Sequence, residues 1–327
     1  MKYFKFNREN RSNEMPTESL QQLMMLEFVR LQKNELKWRV VRNMMFLSIF
    51  TLALLASDTL STLISDLGIG EKNHYVSMVK IDGLISSTTP ASFELVNKGF
   101  KKAFEDSNAK GVLVVINSPG GTPVQSGNIR SALLKYRNKY PDKKVVVVGQ
   151  DTMASGAYMI ATGSDKIYVS ASTLTGSIGV KMEGFGYSDI MQKVGIERRL
   201  VVAGKNKAIG DPYSQLSTQE KSKLELIMKE LHKEFIEMVK ESRGDRLIGS
   251  DDKLFNGDIW TGRSALAIGL VDGIKDINAV LEEDFNVSKT RDYTQSPGML
   301  FGMGHAVSSS IQGVVASTLA TKIQLKY

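Results

Sequence analysis

Two runs of consecutive branched aliphatic residues, "GVLVVIN" (111–117) and "KKVVVVG" (143–149), restrict the fold of this chain more than any other feature. Valine and isoleucine are stiff about χ1 and favour strands. With no polar residue alternating between them, both faces of each strand must be covered, as happens in parallel sheets flanked by helices. The pattern around the runs is helical: Pro90–Asp106 ahead of the first reads as an amphipathic helix, and about Val124–Tyr136 between the two reads as a helix. "YVSMVKIDGLI" before them and "KIYVS" after them read as further strands, so the chain is predicted to be α/β with a parallel sheet. Sheets of this kind gather reactive groups at the carboxyl ends of their strands. Asn117–Thr122 and Asp151–Gly156 both stand at such ends.

Those two segments carry the candidate chemistry. "INSPGG" (116–121) closes one buried strand with a proline and two glycines, a composition that exposes bare backbone N–H groups. "MASGAY" (153–158) places Ser155 at a helix start, where unpaired N–H groups and the positive dipole end favour a developing anion. An acyl-transfer intermediate needs two such donors beside the nucleophile. The amide of Gly156 and one from the Gly120–Gly121 pair are the candidates. Taken singly, the first segment is an ordinary turn and the second an ordinary cap; their meeting at successive strand ends is what points to a site. Serine attack also needs a base. The three histidines, His74, His232 and His305, follow no strand end near the site and read as surface residues, and Asp151 reads as a turn residue. A lysine becomes a base when burial and hydrogen bonding lower its pKa from about 10.4. The pattern of residues alone does not choose among the many lysines.

The N-terminal part is of another kind. Residues 43–57, "NMMFLSIFTLALLAS", hold no charge for fifteen positions. A membrane span takes about 20 apolar residues, so this run needs Val40 and Val41 with Arg42 snorkelling, or a continuation past Asp58 to Ile64. A cleaved signal peptide fits less well, because forty-odd residues precede the apolar run. Lys37, Arg39 and Arg42 just ahead of it predict a cytoplasmic N-terminus and a main domain on the far side of the membrane. The expected organisation is a basic cytoplasmic segment (1–42), a transmembrane signal anchor (43–65), a linker (66–73), a catalytic domain (74–283) and a C-terminal tail (284–327). The net charge of +7 does not signal nucleic acid: residues 1–43 hold nine Lys/Arg against five Glu, and the rest has no arginine-rich block. The absence of cysteine excludes disulfides, thiolate metal sites and a cysteine nucleophile. Ser217–Glu220 is a capping box opening a long helix, whose Leu224, Met228, Leu231, Phe235 and Met238 form a core or interface stripe.

Five blocks, "NSPGG", "MASGAYMIAT", "TLTGSIGV" (173–180), "AGKNKAIGDP" (203–212) and "GDIWTGRSALAIGLVDGI" (257–274), resemble the signal peptide peptidase A family (peptidase family S49, single-copy form) in order and spacing, over roughly residues 74–283. The resemblance implies a Clp-protease/crotonase-like fold and a serine–lysine dyad. Ser155 matches the nucleophile, Lys207 the general base with Lys205 as its neighbour, Ser177 the hydroxyl that orients the lysine, and Gly121 and Gly156 the oxyanion donors. It further implies peptide substrates such as cleaved signal peptides, a homo-oligomeric ring in which serine and lysine can come from adjacent subunits, and an extracytoplasmic domain at a bacterial inner membrane. No metal or other cofactor is implied. A position after the nucleophile where many relatives carry glycine is Ala157 here. Two other readings are an acyl-CoA enzyme of the crotonase type and a non-catalytic peptide-binding membrane scaffold.

Overall fold

The computed structural model describes residue 25 and residues 37–52 and 75–296. The chain divides into two compact units, residues 1–70 and 71–327. The first is represented by helix α1 (37–52), along which Val41, Met44, Phe46, Leu47 and Phe50 are all exposed. Among the described residues no helix is long and apolar enough to cross a membrane. Residues 53–65 of the expected anchor, His74 and His305 lie outside the described residues.

The second unit follows the β-branched pattern. Strands β1 (Tyr75–Asp82), β2 (Ala109–Ser118) and β3 (Lys144–Ala154) are joined by helices α2 (Phe93–Glu105) and α3 (Pro123–Lys139). Next come helix α4 (Gly156–Ala161), strands β4 (Lys166–Val169) and β5 (Leu174–Gly176), and helices α5 (Ser188–Lys193) and α6 (Thr218–Arg243). The unit ends in α7 (Asp251–Leu254), β6 (Ile259–Thr261), α8 (Gly262–Ala267), β7 (Gly273–Ile274), α9 (Ile277–Phe285) and β8 (Lys289–Asp292). The sheet runs β6-β5-β3-β2-β1-β8, with β4 and β7 branching from β3; every pairing is parallel except β5 with β6.

Both faces are covered, as the uninterrupted aliphatic runs require. Val112, Val114, Ile116, Val145 and Val147 pack with Phe100, Phe104, Leu133 and Ile160 of α2, α3 and α4. The alternate residues Leu113, Val115, Val146 and Val148 pack with Val280, Leu281 and Phe285 of α9. The segment after Asp284, expected as a tail, in part completes the sheet: β8 pairs with β1, and the Tyr75 and Tyr293 hydroxyls both donate to Asp106 Oδ2, at 2.8 and 2.6 Å. The long helix opens with the predicted capping box, Ser217 and Glu220 bonding each other reciprocally. Along its apolar stripe Phe235 is buried and Leu224, Met228, Leu231 and Met238 are half-buried, while Leu226 and Ile227, off the stripe, stay exposed.

One irregularity sets up the site. Ile116 faces Gly149 but Ser118 faces Met153, so β3 bulges between these pairs. Over the same stretch β3 exchanges its outer neighbour: Val146–Gly149 pair with β4, and Thr152–Ala154 pair with β5. Gly149 permits the bend, since a Cβ there would lie 3.0 Å from Met153 Cβ.

Candidate active site

Ser155 stands where β3 passes into α4, at φ 54° and ψ −124°. Non-glycine residues seldom adopt positive φ, and such strain persists only where the surroundings enforce it. Here its N–H donates to Gly176 O (2.8 Å) and its carbonyl accepts from Met159 N (2.9 Å). Its hydroxyl makes no hydrogen bond among the described residues and remains free to react.

The glycine turn after β2 lies directly against Ser155. A Cβ on Gly120, whose φ is +102°, would fall 2.8 Å from both Gly156 N and Ser155 Cβ. A Cβ on Gly121 would fall 1.9 Å from Ile85 O. Ile85 clamps the turn by donating its N–H to Gly120 O and accepting from Thr122 N, both at 2.9 Å. The two glycine amides differ in use: Gly120 N–H donates to Ser118 Oγ (3.1 Å), whereas Gly121 N–H has no partner among the described residues. Gly156 N–H, at the first position of α4, is likewise outside the helical hydrogen-bond ladder. A Cβ on Gly156 would sit 3.3 Å from Gly121 N and 2.2 Å from Ser126 Oγ. Thus two free donors and a strained serine converge on one spot. The Ser126 hydroxyl beneath them is buried and unpartnered.

Ser177 is brought to the same place by the β3–β5 pairing, which sets Ala154 opposite Gly176. It too has positive φ, 49°, and its N–H donates to Asp258 O at 2.7 Å. The Trp260 ring on β6 packs on Gly176, where a Cβ would lie 2.6 Å from Cδ1.

Lys207 lies elsewhere in the chain's architecture, on an exposed arm (180–216) whose only helix, α5, buries no residue. The arm is tied within itself by an Arg198–Asp211 ion pair and by Tyr187, whose ring lies 5.7 Å from that of Tyr213. A pocket of about 680 Å³ beside Lys207 is lined by arm residues, among them Leu200, Val202 and Ile209. No hydrogen bond links Lys207 or Lys205 to Ser155 or Ser177 within the described residues. The arm exposes Phe185, Ile190, Val194 and Val201, the last at 97%.

His232 departs from the surface position expected for it. It is half-buried on α6, with Nε2 3.0 Å from Ile178 O, one residue beyond Ser177. A hydrophobic helix stripe gives no hint of such a contact, which depends on how α6 crosses the end of β5. Among the described residues no cluster of His, Asp and Glu is arranged to hold a metal.

The model of peptidase family S49 matches residues 137–288. The chain is 40% identical over 185 residues to a protein of Brucella abortus named Na(+)/H(+) antiporter NhaA, covering 57% of this chain and 25% of that one. It is 30% identical over 213 residues to the protein of Enterococcus faecium named "Putative signal peptide peptidase SppA", covering 63% and 61%. It is 32% identical over 197 residues to "Putative protease slr0021" of Synechocystis sp., covering 60% and 68%. The chain therefore spans a quarter of the Brucella protein and about three fifths of the Enterococcus one.

Proposed function

The chain belongs to peptidase family S49, and from that membership we propose that it is a membrane-anchored serine endopeptidase that cuts short apolar peptides, such as released signal peptides, outside the cytoplasm. The observation that carries the proposal is the strained Ser155 lying against the two free amides of Gly121 and Gly156. Ser155 Oγ attacks the peptide carbonyl while Lys207, as the free amine, takes the proton and returns it to the leaving amine. The negative oxygen of the tetrahedral intermediate settles between the two glycine amides. Gly121 is favoured over Gly120 because the amide of Gly120 is already given to Ser118. Ser177 orients the lysine.

We read the lysine as arriving from a neighbouring copy in a ring. The Ser155 and Ser177 hydroxyls have no partner within the described chain, and the arm carrying Lys207 exposes an apolar surface that a second copy would cover. Exposed Met, Phe and Leu side chains around α1, preceded by Lys37, Arg39 and Arg42, support the anchor reading.

The test is hydrolysis of a fluorogenic peptide with an apolar residue before the scissile bond, together with labelling by a serine-directed phosphonate. Ser155→Ala abolishes labelling and lowers turnover by at least about 10³-fold. Retained hydrolysis in pure Ser155→Ala would refute the assignment, and turnover of an acyl-CoA thioester without labelling would favour the crotonase reading.

A further inference from the structure

Ser177 holds a backbone conformation that non-glycine residues avoid, so its neighbours must enforce it. On its N-terminal side Gly176 O accepts from Ser155 N, and Ser177 N itself donates to Asp258 O. On its C-terminal side the tether comes from outside the sheet: His232 of α6 reaches Ile178 O at 3.0 Å. A carbonyl oxygen only accepts, so the bond requires a proton on Nε2. The Ile178 side chain is buried, which leaves its peptide little freedom once the carbonyl is held. Immediately afterwards Gly179 abuts Gly257, where a Cβ would meet Gly257 Cα at 3.2 Å, and the chain departs into the exposed arm. His232 is thus the side-chain anchor between Ser177 and the arm that bears Lys207.

We propose that His232 is a positioning residue for this site: by holding Ile178 O it locks Ser177 at positive φ and aims the Ser177 hydroxyl at the catalytic amine. The proposal rests on the reading of Ser177 as the lysine-orienting group. It assigns His232 no proton transfer, because its ring contacts a carbonyl and not the reacting atoms.

The experiment compares full-length His232→Leu, His232→Gln, Ser177→Ala and the Ser177→Ala/His232→Leu pair on the same fluorogenic peptide. Glutamine keeps an N–H donor at a similar reach, whereas leucine keeps only bulk. His232→Leu is expected to lower kcat about tenfold with KM within about twofold, and His232→Gln to stay within about threefold of wild type. If His232 acts through Ser177, the double variant is no slower than Ser177→Ala alone. Wild-type kcat in His232→Leu, equal loss in His232→Gln, or multiplied losses in the double variant would each overturn the proposal. Should His232→Leu not fold, the glutamine variant decides, since a tenfold loss there is equally fatal. Failure of the peptidase reading shows separately, as full hydrolysis by both Ser155→Ala and Lys207→Ala.

Discussion

Gly156→Ala tests the geometry of the anion site with little interference from backbone strain. Gly156 is helical and not at positive φ, so alanine can adopt its conformation. The new methyl has nowhere to go: it would lie 2.2 Å from Ser126 Oγ, where ordinary contact begins at 3.4 Å. Relieving that overlap turns the unpartnered Ser126 hydroxyl into its packed surroundings or pushes α4 and α3 apart, and overpacking of this kind costs about 1–3 kcal/mol. The same displacement moves the Gly156 amide off the oxyanion position, and losing one such donor costs about 10²–10³ in kcat. Ser126→Ala alone removes a buried hydroxyl that has no partner, so it should be neutral or stabilise by about 1 kcal/mol. In the Ser126→Ala/Gly156→Ala pair the oxygen is gone and the closest remaining contact is 3.1 Å, to the Cβ of residue 126, which a small shift accommodates. Denaturant melts and kcat for the four proteins complete a double-mutant cycle. Most of the lost stability, and at least about tenfold of the lost kcat, should return in the pair. Full activity in Gly156→Ala, or additive effects with no recovery, would show that Gly156 does not pack on Ser126 as described.

The lysine assignment predicts that Lys207→Ala is as damaging as Ser155→Ala while Lys205→Ala is mild. If the lysine crosses a subunit boundary, mixing inactive Ser155→Ala and Lys207→Ala chains before assembly restores part of the activity, and homogeneous preparations of either do not. Asp272 gives a pH prediction. Burial raises its carboxyl pKa, but hydrogen bonds from Arg243 and the Ile167 amide, with the charges of Arg243 and Arg246, outweigh this and hold it below the usual carboxylate value. A carboxylate lowered on folding contributes stability that is fully present above the unfolded pKa of about 3.9 and is lost as pH falls through the folded value. Acid melts of Asp272→Asn should therefore show a shallower loss of stability below about pH 4 than wild type. At neutral pH the same variant should be less stable by about 3–5 kcal/mol, because Arg243, 2% exposed, loses its partner.

What the sequence reveals about this fold follows from which forces are local. The aliphatic runs of β2 and β3 and the capping box at Ser217 are written in consecutive residues, so their elements could be read directly. Strand β8 could not: "KTRD" has no apolar pattern, and its place beside β1 is held by Tyr293 and Tyr75 sharing Asp106 across the fold. That the stripe of α6 is only half-buried at Leu224, Met228 and Leu231 was equally hidden, because spacing tells which residues share a face and not what that face meets. At the site the glycines and Ser155 announce themselves as a turn and a helix start. His232 does not, since its partner is a backbone carbonyl 54 residues away.

The step from sheet to site lies in β3. Up to Gly149 the strand is ordinary buried sheet, paired with β4 on its outer side. The bulge that follows releases it from β4 and delivers Thr152–Ala154 to β5. Because Ala154 then faces Gly176, the next residues on the two strands, Ser155 and Ser177, emerge side by side, and both are forced to positive φ. A strand that ran straight would have left Ser155 beside β4 and far from the Ser177 turn. A glycine at 149 is therefore part of the site's construction although it touches no substrate. Replacing it with valine, whose branched side chain would collide with Met153 where even a Cβ stands at 3.0 Å, should straighten or unseat the bend. Phosphonate labelling of Ser155 should then fall more steeply than overall stability does. If labelling and melting declined in step, the bend would be a packing detail with no bearing on how the nucleophile is placed.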